Sequence, residues 1–180
     1  MRRIPPFALG LALALLGGCG GEKDEIVAHV GGQPITEREL EPVVDHFREE
    51  AKHEGRQFPH EDTPSFRRAR NRLLALLVYR VELRQAARRL GVGVSQEQVS
   101  WRLPRDGGQE ENGEDEGDFA RDSVEAQLLY EGIFRKVTRD VKAPTQAELS
   151  ARRNRGMAGF VSRLQRETKV RYEPGYAPGS

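Results

Sequence analysis

The chain has 180 residues, and its 29 Lys+Arg against 28 Asp+Glu give a net charge of only +1 although 32% of positions are charged. Hydrophobic residues make up 37% of the chain, which supports one modest core. The 19 Gly and 10 Pro are too few for a collagen-like fibre, and a single Cys excludes a disulfide-stapled scaffold. No run of 18 apolar residues is present, which excludes a multi-span membrane protein.

The first nineteen residues predict an export signal. A positive start, Met1 to Arg3, precedes an apolar run from Phe7 to Leu16, which is too short to span a bilayer core of about 30 Å. Leu16-Gly17-Gly18-Cys19 resembles the bacterial lipoprotein lipobox, whose cysteine carries diacylglyceryl and palmitate-type acyl chains after cleavage. We therefore expect a signal peptide at 1–18 and lipid attachment at Cys19. The alternative is an ordinary secretory signal cleaved nearby, with Cys19 incidental.

The lipobox also predicts location and the start of the folded part. Residues 19–25 form a short lipidated tether, and the protein is expected to be extracytoplasmic and anchored to a membrane through its N-terminal lipid. The sequence does not distinguish an inner from an outer membrane. A single domain is expected over residues 26–172.

The first half of that domain predicts a hairpin and two helices. Residues 26–30 have a strand pattern, Gly31-Gly32 a tight turn, and residues 33–35 a returning strand. Thr36 with Glu39 is a capping box that opens a helix over about 37–54. Thr63-Pro64 then begins a long amphipathic helix that ends before Gly91, and this helix is expected to be central to the core.

The second half predicts shorter helices and one more strand. A capping box at Ser95 opens a helix to about Leu103, and the acidic, glycine-rich segment 104–117 is predicted to be a mobile loop. A helix resumes near Asp118 and runs as far as Val141. The last helix, through about Glu167, should kink or break at Gly156 and Gly159. A strand at 170–172 and an extended tail at 173–180 complete the chain.

Charge is segregated along the chain. Residues 64–90 contain eight Arg and one Glu, whereas residues 37–54 contain seven acids and three bases. The simplest interpretation is that the acidic helix and the acidic loop lie near the arginine-rich helix. Contact of these arginines with anionic lipid headgroups is a second option. Nucleic-acid binding is disfavoured because the protein is exported and no aromatic platform or zinc spacing accompanies the arginines.

No motif for catalysis is present. The sequence lacks a Gly-x-Ser-x-Gly elbow, and Gly91-Val92-Gly93 lacks the rest of a dinucleotide fingerprint. His29 lies in a strand and is interpreted as an edge residue. The other histidines, His46, His53 and His60, recur every seven residues, but Gly55 and Pro59 interrupt their helix. We therefore predict no catalytic residue, no metal site and no cofactor.

The order of these segments resembles a known family. Ile26 to Leu40, then Leu73 to Val78, then Ala86 to Ser95 and finally Val141 to Leu149 are similar to the N-terminal chaperone domain of SurA-type and PrsA-type extracytoplasmic foldases. In that family a parvulin-type prolyl isomerase follows the last motif. Here the chain passes directly to segments that resemble the family's returning helix and strand, so the resemblance implies the chaperone module without the enzyme.

The resemblance implies a fold and a function. The fold should be mainly α, with a small β element in which the N-terminal strand pairs with residues 170–172 and so joins the N- and C-terminal segments. The function should be that of a membrane-anchored holdase that binds unfolded or exported polypeptides. Candidate groove walls, which flank the acidic loop, are Trp101, Leu103, Tyr130 and Phe134, and ordinary core is their alternative role. An adaptor lipoprotein that binds one folded partner and a prolyl isomerase are the other functional classes, and the oligomeric state is left open.

Overall fold

A computed structural model describes residues 24–103 and 114–179. The predicted signal peptide, Cys19 and residues 104–113 of the predicted acidic loop lie outside the described residues. The elements in chain order are β1 (Ile26–Val30), β2 (Gln33–Thr36), α1 (Glu37–His53), α2 (Pro64–Leu90), α3 (Gln96–Arg102), α4 (Glu114–Val137), α5 (Gln146–Glu167) and β3 (Val170–Tyr172). The mainly helical class predicted from the sequence is confirmed.

The sheet joins the two ends of the domain. Its strand order is β2-β1-β3, and both pairings are antiparallel. Gly31 and Gly32, at φ 57° and 88°, make the turn between β1 and β2, a conformation that glycine adopts without steric cost. The predicted pairing of β1 with residues 170–172 is confirmed. The interpretation of His29 as an edge residue is wrong, because β3 covers the second side of β1 and makes it the central strand.

Helix α2 is the central element of the core, as its long apolar face predicts. Thr63 Oγ1 accepts a hydrogen bond from Phe66 N at 3.1 Å, and Gly91 ends the helix in the left-handed conformation. Its first half packs with the sheet and α1, in a cluster that includes Val27, Ile35, Leu40, Leu74 and Val78. Its second half packs with α4 and α5, in a cluster that includes Leu83, Ala87, Ile133, Met157 and Leu164.

Two helices differ from the sequence-based expectation. Helix α4 begins at Glu114 and ends at Val137, four residues earlier at each end than predicted. Its acidic composition indicated a loop, but acidic residues are favourable in the first turn of a helix. Helix α5 is continuous through Gly156 and Gly159, so the predicted break is wrong. Burial of Met157 and Leu164 against the second cluster outweighs the low helix propensity of the two glycines.

The residues after β3 form a turn that docks onto α2, in contrast to the predicted extended tail. Tyr176 N donates to Glu173 O at 3.1 Å, and the buried Asn71 of α2 donates to Gly175 O and Ala177 O at 3.1 and 3.0 Å. Because a buried amide that loses its partners is costly, these bonds fix the C-terminal segment on the helix.

Candidate polypeptide-binding surface

Helix α3 is a short element held by one buried side chain, one cap and one ion pair. Ser95 Oγ accepts from Gln98 N at 3.2 Å, and Gln98 Oε1 accepts from Ser95 N at 2.8 Å, which forms the predicted capping box. Val99 is buried. Arg102 Nη2 lies 2.7 Å from Glu131 Oε1 of α4. These contacts fix the orientation of α3 against α4.

Trp101 points away from this contact. It follows the buried Val99 by two residues, which is about 200° around a helix, and 73% of its surface is exposed. Exposed large hydrophobic side chains in the described part of the chain are Ile26, Trp101 and Tyr130. An exposed indole indicates a contact site because tryptophan combines a large apolar area with few rotatable bonds.

Tyr130 is the second exposed aromatic residue of this region, at 38%. The Arg102–Glu131 ion pair joins the residues that directly follow Trp101 and Tyr130 in the sequence. Tyr130 also lies near Tyr79 of α2. The pKa of the Tyr79 hydroxyl is raised, first by burial and then by the neighbouring Tyr130 and Glu82.

The four predicted groove residues therefore divide into two groups. Trp101 and Tyr130 are exposed, whereas Leu103 and Phe134 are half-buried. Phe134 packs against the second core cluster, so the alternative role as core applies to it. Leu103 ends α3, and its backbone N–H donates to Val99 O at 3.1 Å. The exposed part of the candidate surface is thus Trp101 with Tyr130.

A partly apolar cleft between β2, α1, α2 and the first turns of α4 was not predicted from the sequence. Its volume is about 260 Å³, and its walls include Ile35, Pro42, Val43, Leu77 and Phe119. This is smaller than most small-molecule sites. Phe119 is stacked on His46 with ring centroids 4.0 Å apart. Because these walls come from four separate elements, no local spacing in the sequence could have indicated the cleft.

Arg80 and Arg84 connect α2 to α4 beside this cleft. Arg80 is 4% exposed, lies 4.6 Å from the centroid of Phe119 and donates to Ser123 Oγ at 2.7 Å. Burial lowers the pKa of the Arg80 guanidinium. Arg84 Nη2 lies 2.7 Å from Asp122 Oδ1 and 2.6 Å from Glu125 Oε2.

The predicted contact between the acidic helix α1 and α2 is confirmed by an ion pair between Arg70 and Glu37. Arg70 also donates to the hydroxyl of Tyr176 at 2.9 Å. Helix α4 was not predicted as an acidic partner of α2. The predicted contact of the acidic loop with α2 involves residues that lie largely outside the described ones.

Glu82 and His29 are two further polar groups to consider as chemically active residues. Glu82 of α2 is only 3% exposed, and burial raises the pKa of its carboxyl. His29 Nδ1 of β1 lies 3.2 Å from Arg171 Nη2 of β3 and 3.6 Å from Oε1 of Glu173, which directly follows β3. Within residues 24–103 and 114–179, no group of three His, Cys, Asp or Glu side chains is placed to hold a metal ion.

The fold defines a mainly helical class of protein with a small three-stranded sheet. The family model described as SurA-like N-terminal domain matches residues 4–128, which are 125 of the 180 residues. The chain therefore belongs to the SurA-like N-terminal domain family, as the sequence motifs predict. This family is of chaperone type and extracytoplasmic. No curated protein matches the chain. Among the described residues, no helix is both long and apolar enough to cross a membrane.

Proposed function

We propose that this protein is a membrane-anchored, extracytoplasmic holdase that binds unfolded or exported polypeptides without isomerase chemistry. The single observation that carries the proposal is the exposure of Trp101 on a helix that the fold holds rigidly. Family membership supports the chaperone assignment, and the lipobox at Cys19 supports the anchor.

Trp101 would act by burying apolar area against segments of a client. Burial of a tryptophan removes about 150–250 Å² from water, of which 73% is available here. At about 25 cal/mol per Å² this gives about 3–5 kcal/mol before the costs of association. Because apolar burial is not directional, the contact tolerates many client sequences. Tyr130 would add a second aromatic contact with a polar hydroxyl end.

The anchor would keep the domain close to the membrane that clients cross. Two or three acyl chains on Cys19 hold a protein on a bilayer, whereas one chain gives only reversible binding. The substitution Cys19→Ala should release the protein from the membrane fraction and change its electrophoretic mobility. Unchanged fractionation and mobility in this variant would refute the anchor but leave the holdase untouched.

Aggregation of a client tests the holdase. A chemically denatured client is diluted into buffer with the full chain in phosphatidylcholine nanodiscs, and light scattering is followed. Near-stoichiometric protein should suppress scattering, Trp101→Ala should lose most of this effect, and Ser100→Ala, an exposed neighbour on α3, should retain it. No suppression by the wild-type chain at large excess would overturn the proposal.

In a proline-limited refolding assay, the refolding rate should be unchanged, and an accelerated rate would indicate an isomerase.

A further inference from the structure

Helix α5 has a solvent-facing side rich in arginine. Its members are Arg152, Arg155, Arg163 and Arg166, all of them exposed. At about 100° per residue they fall within a sector about 80° wide, and they extend over about 21 Å of the helix. The buried residues Met157 and Leu164 lie on the other side, against the core. We call these four side chains the α5 arginine face.

The fold does not use the charge of this face. Arg152 donates to Lys142 O at 3.0 Å. In the part of the chain that the structure describes, Arg155, Arg163 and Arg166 have no ion pair and no hydrogen-bond partner. Helix α5 carries five Arg and two Glu between Gln146 and Glu167. Three guanidinium groups with free donors on one face are therefore available to an anionic partner.

The middle of the α5 arginine face has almost no side chains. Gly156 and Gly159 lie between the two arginine pairs, and both are exposed. A Cβ at Gly159 would meet no atom within 4 Å, and one at Gly156 would make only an ordinary contact with Thr138 at 3.9 Å. Neither glycine has positive φ. The fold therefore does not require these glycines, although each lowers helix stability by up to about 1 kcal/mol relative to alanine.

The combination indicates the kind of partner. Arginine forks at both ends favour carboxylates, which they bind through paired N–H donors. The glycines let a partner's main chain approach the helix closely. A face of about 21 Å accommodates about six residues of extended chain. A flat membrane surface would not need the gap at the glycines, and the face offers no large apolar side chain for insertion among lipids.

We propose that the α5 arginine face docks an acidic, extended polypeptide segment. This inference rests on the proposed function in that the partner is a polypeptide, but it adds a second contact surface and names a class of client sequence. Aromatic burial at Trp101 would supply contacts that depend little on sequence. The α5 arginine face would select segments that carry several carboxylates, and its affinity would fall with salt because exposed charges are screened.

The test uses a fluorescein-labelled twelve-residue peptide in which Glu alternates with Ser, together with a matched peptide in which Gln replaces Glu. Anisotropy is measured with the full chain in phosphatidylcholine nanodiscs at low and high NaCl. The Glu peptide should bind and the Gln peptide should not. The variant Arg163→Gln/Arg166→Gln should lower affinity at least tenfold. The control variant Arg88→Gln/Arg89→Gln removes the same number of charges from α2 and should change affinity less than twofold.

Further variants separate this surface from the aromatic one. Gly159→Gln leaves the charge unchanged and should also weaken binding, since it fills the gap. Trp101→Ala should leave Glu-peptide affinity unchanged, because the peptide has no aromatic partner for the indole. If the wild-type chain bound the Glu peptide but did not suppress aggregation even at large excess, the holdase alone would be refuted. Circular dichroism and Tm of each variant show that it folds.

Three results would overturn the inference. The first is Glu-peptide affinity that does not change in Arg163→Gln/Arg166→Gln. The second is an equal loss in Arg88→Gln/Arg89→Gln, which would indicate net charge alone. The third is binding of phosphatidylglycerol vesicles that depends on Arg163 and Arg166 while the Glu peptide does not bind, which would assign the face to lipid headgroups.

Discussion

Two arginine-rich helices of this protein differ in how many of their arginines join other elements of the fold. Three arginines of α2 are paired: Arg70 with Glu37, Arg80 with Ser123 and the ring of Phe119, and Arg84 with Asp122 and Glu125. On α5, by contrast, the arginines at 155, 163 and 166 are exposed and have no partner among the described residues. Arginine content alone therefore does not define a binding surface, because intramolecular partners occupy three of the α2 arginines.

The largest expected effect comes from Arg80, the most deeply buried of these arginines. Arg80→Ala should lower the free energy of unfolding by about 2–4 kcal/mol, because it leaves a cavity and removes the hydrogen bond to Ser123. Arg80→Met keeps most of the volume and removes the buried charge, so it should cost less than about 1.5 kcal/mol. Urea denaturation measures both, and equal costs would contradict the role of packing.

A smaller effect is expected at Arg84, which is half-buried between two carboxylates of α4. Arg84→Ala should cost about 1–2 kcal/mol, and the cost should shrink in high salt because part of the pairing is exposed to solvent. Thermal unfolding at two salt concentrations provides the measurement. Arg88→Ala, on the last turn of the same helix, is the matched control and should change stability by less than about 0.5 kcal/mol.

Glu82 gives a prediction about pH. Burial raises the pKa of its carboxyl in the folded state above the ordinary value of 4.5, and its neighbours Tyr79 and Tyr172 carry no positive charge. The Glu82 carboxyl therefore binds its proton more tightly in the folded state than in the unfolded state. The stabilisation that results from this tighter binding is complete below the unfolded pKa, and it is lost as pH rises through the folded pKa. Glu82→Gln cannot ionise and should be more stable than wild type at neutral pH.

This difference should vanish near pH 4, where both side chains are neutral. Each kcal/mol of stabilisation would appear as about 2–4 °C in Tm. Thermal scans of both proteins between pH 4 and 8 would show converging curves on the acid side. Parallel curves would show that ionisation of Glu82 does not act on stability.

The smallest effects are expected on α5. Gly159→Ala should raise the free energy of unfolding by up to about 1 kcal/mol, since the added methyl group meets open space and alanine favours the helix. Arg155→Ala should change it by less than about 0.5 kcal/mol. If Arg155→Ala proved as costly as Arg84→Ala, the contrast between the two helices would fail.

The sequence predicted those features that depend on neighbouring residues. The capping residues Thr36, Thr63 and Ser95 act over three positions, and each begins a helix where the local pattern indicates. The pairing of β1 with β3 was also predicted, but from a resemblance to a family. Composition alone would not have chosen this partner for β1.

Features that depend on distant packing were not predicted correctly. Local propensity indicated a break at Gly156 and Gly159, whereas burial of Met157 and Leu164 keeps the helix continuous. The exposed state of Trp101 could not be separated from a core role, because a helix as short as α3 contains a single buried residue and gives no clear period. Phe134 has the same apolar character and packs in the core.

The position of β1 at the centre of the sheet has a consequence for the order of folding. One neighbour of β1 follows it after two residues, but the other includes Arg171, which is 142 positions away from His29. The hairpin of β1 and β2 can therefore form as soon as these residues have been synthesised, whereas β3 is added only after every helix. Closure of so long a loop costs entropy that no local contact offsets. Before its synthesis is complete, this protein thus passes through a stage in which its central strand has one open edge.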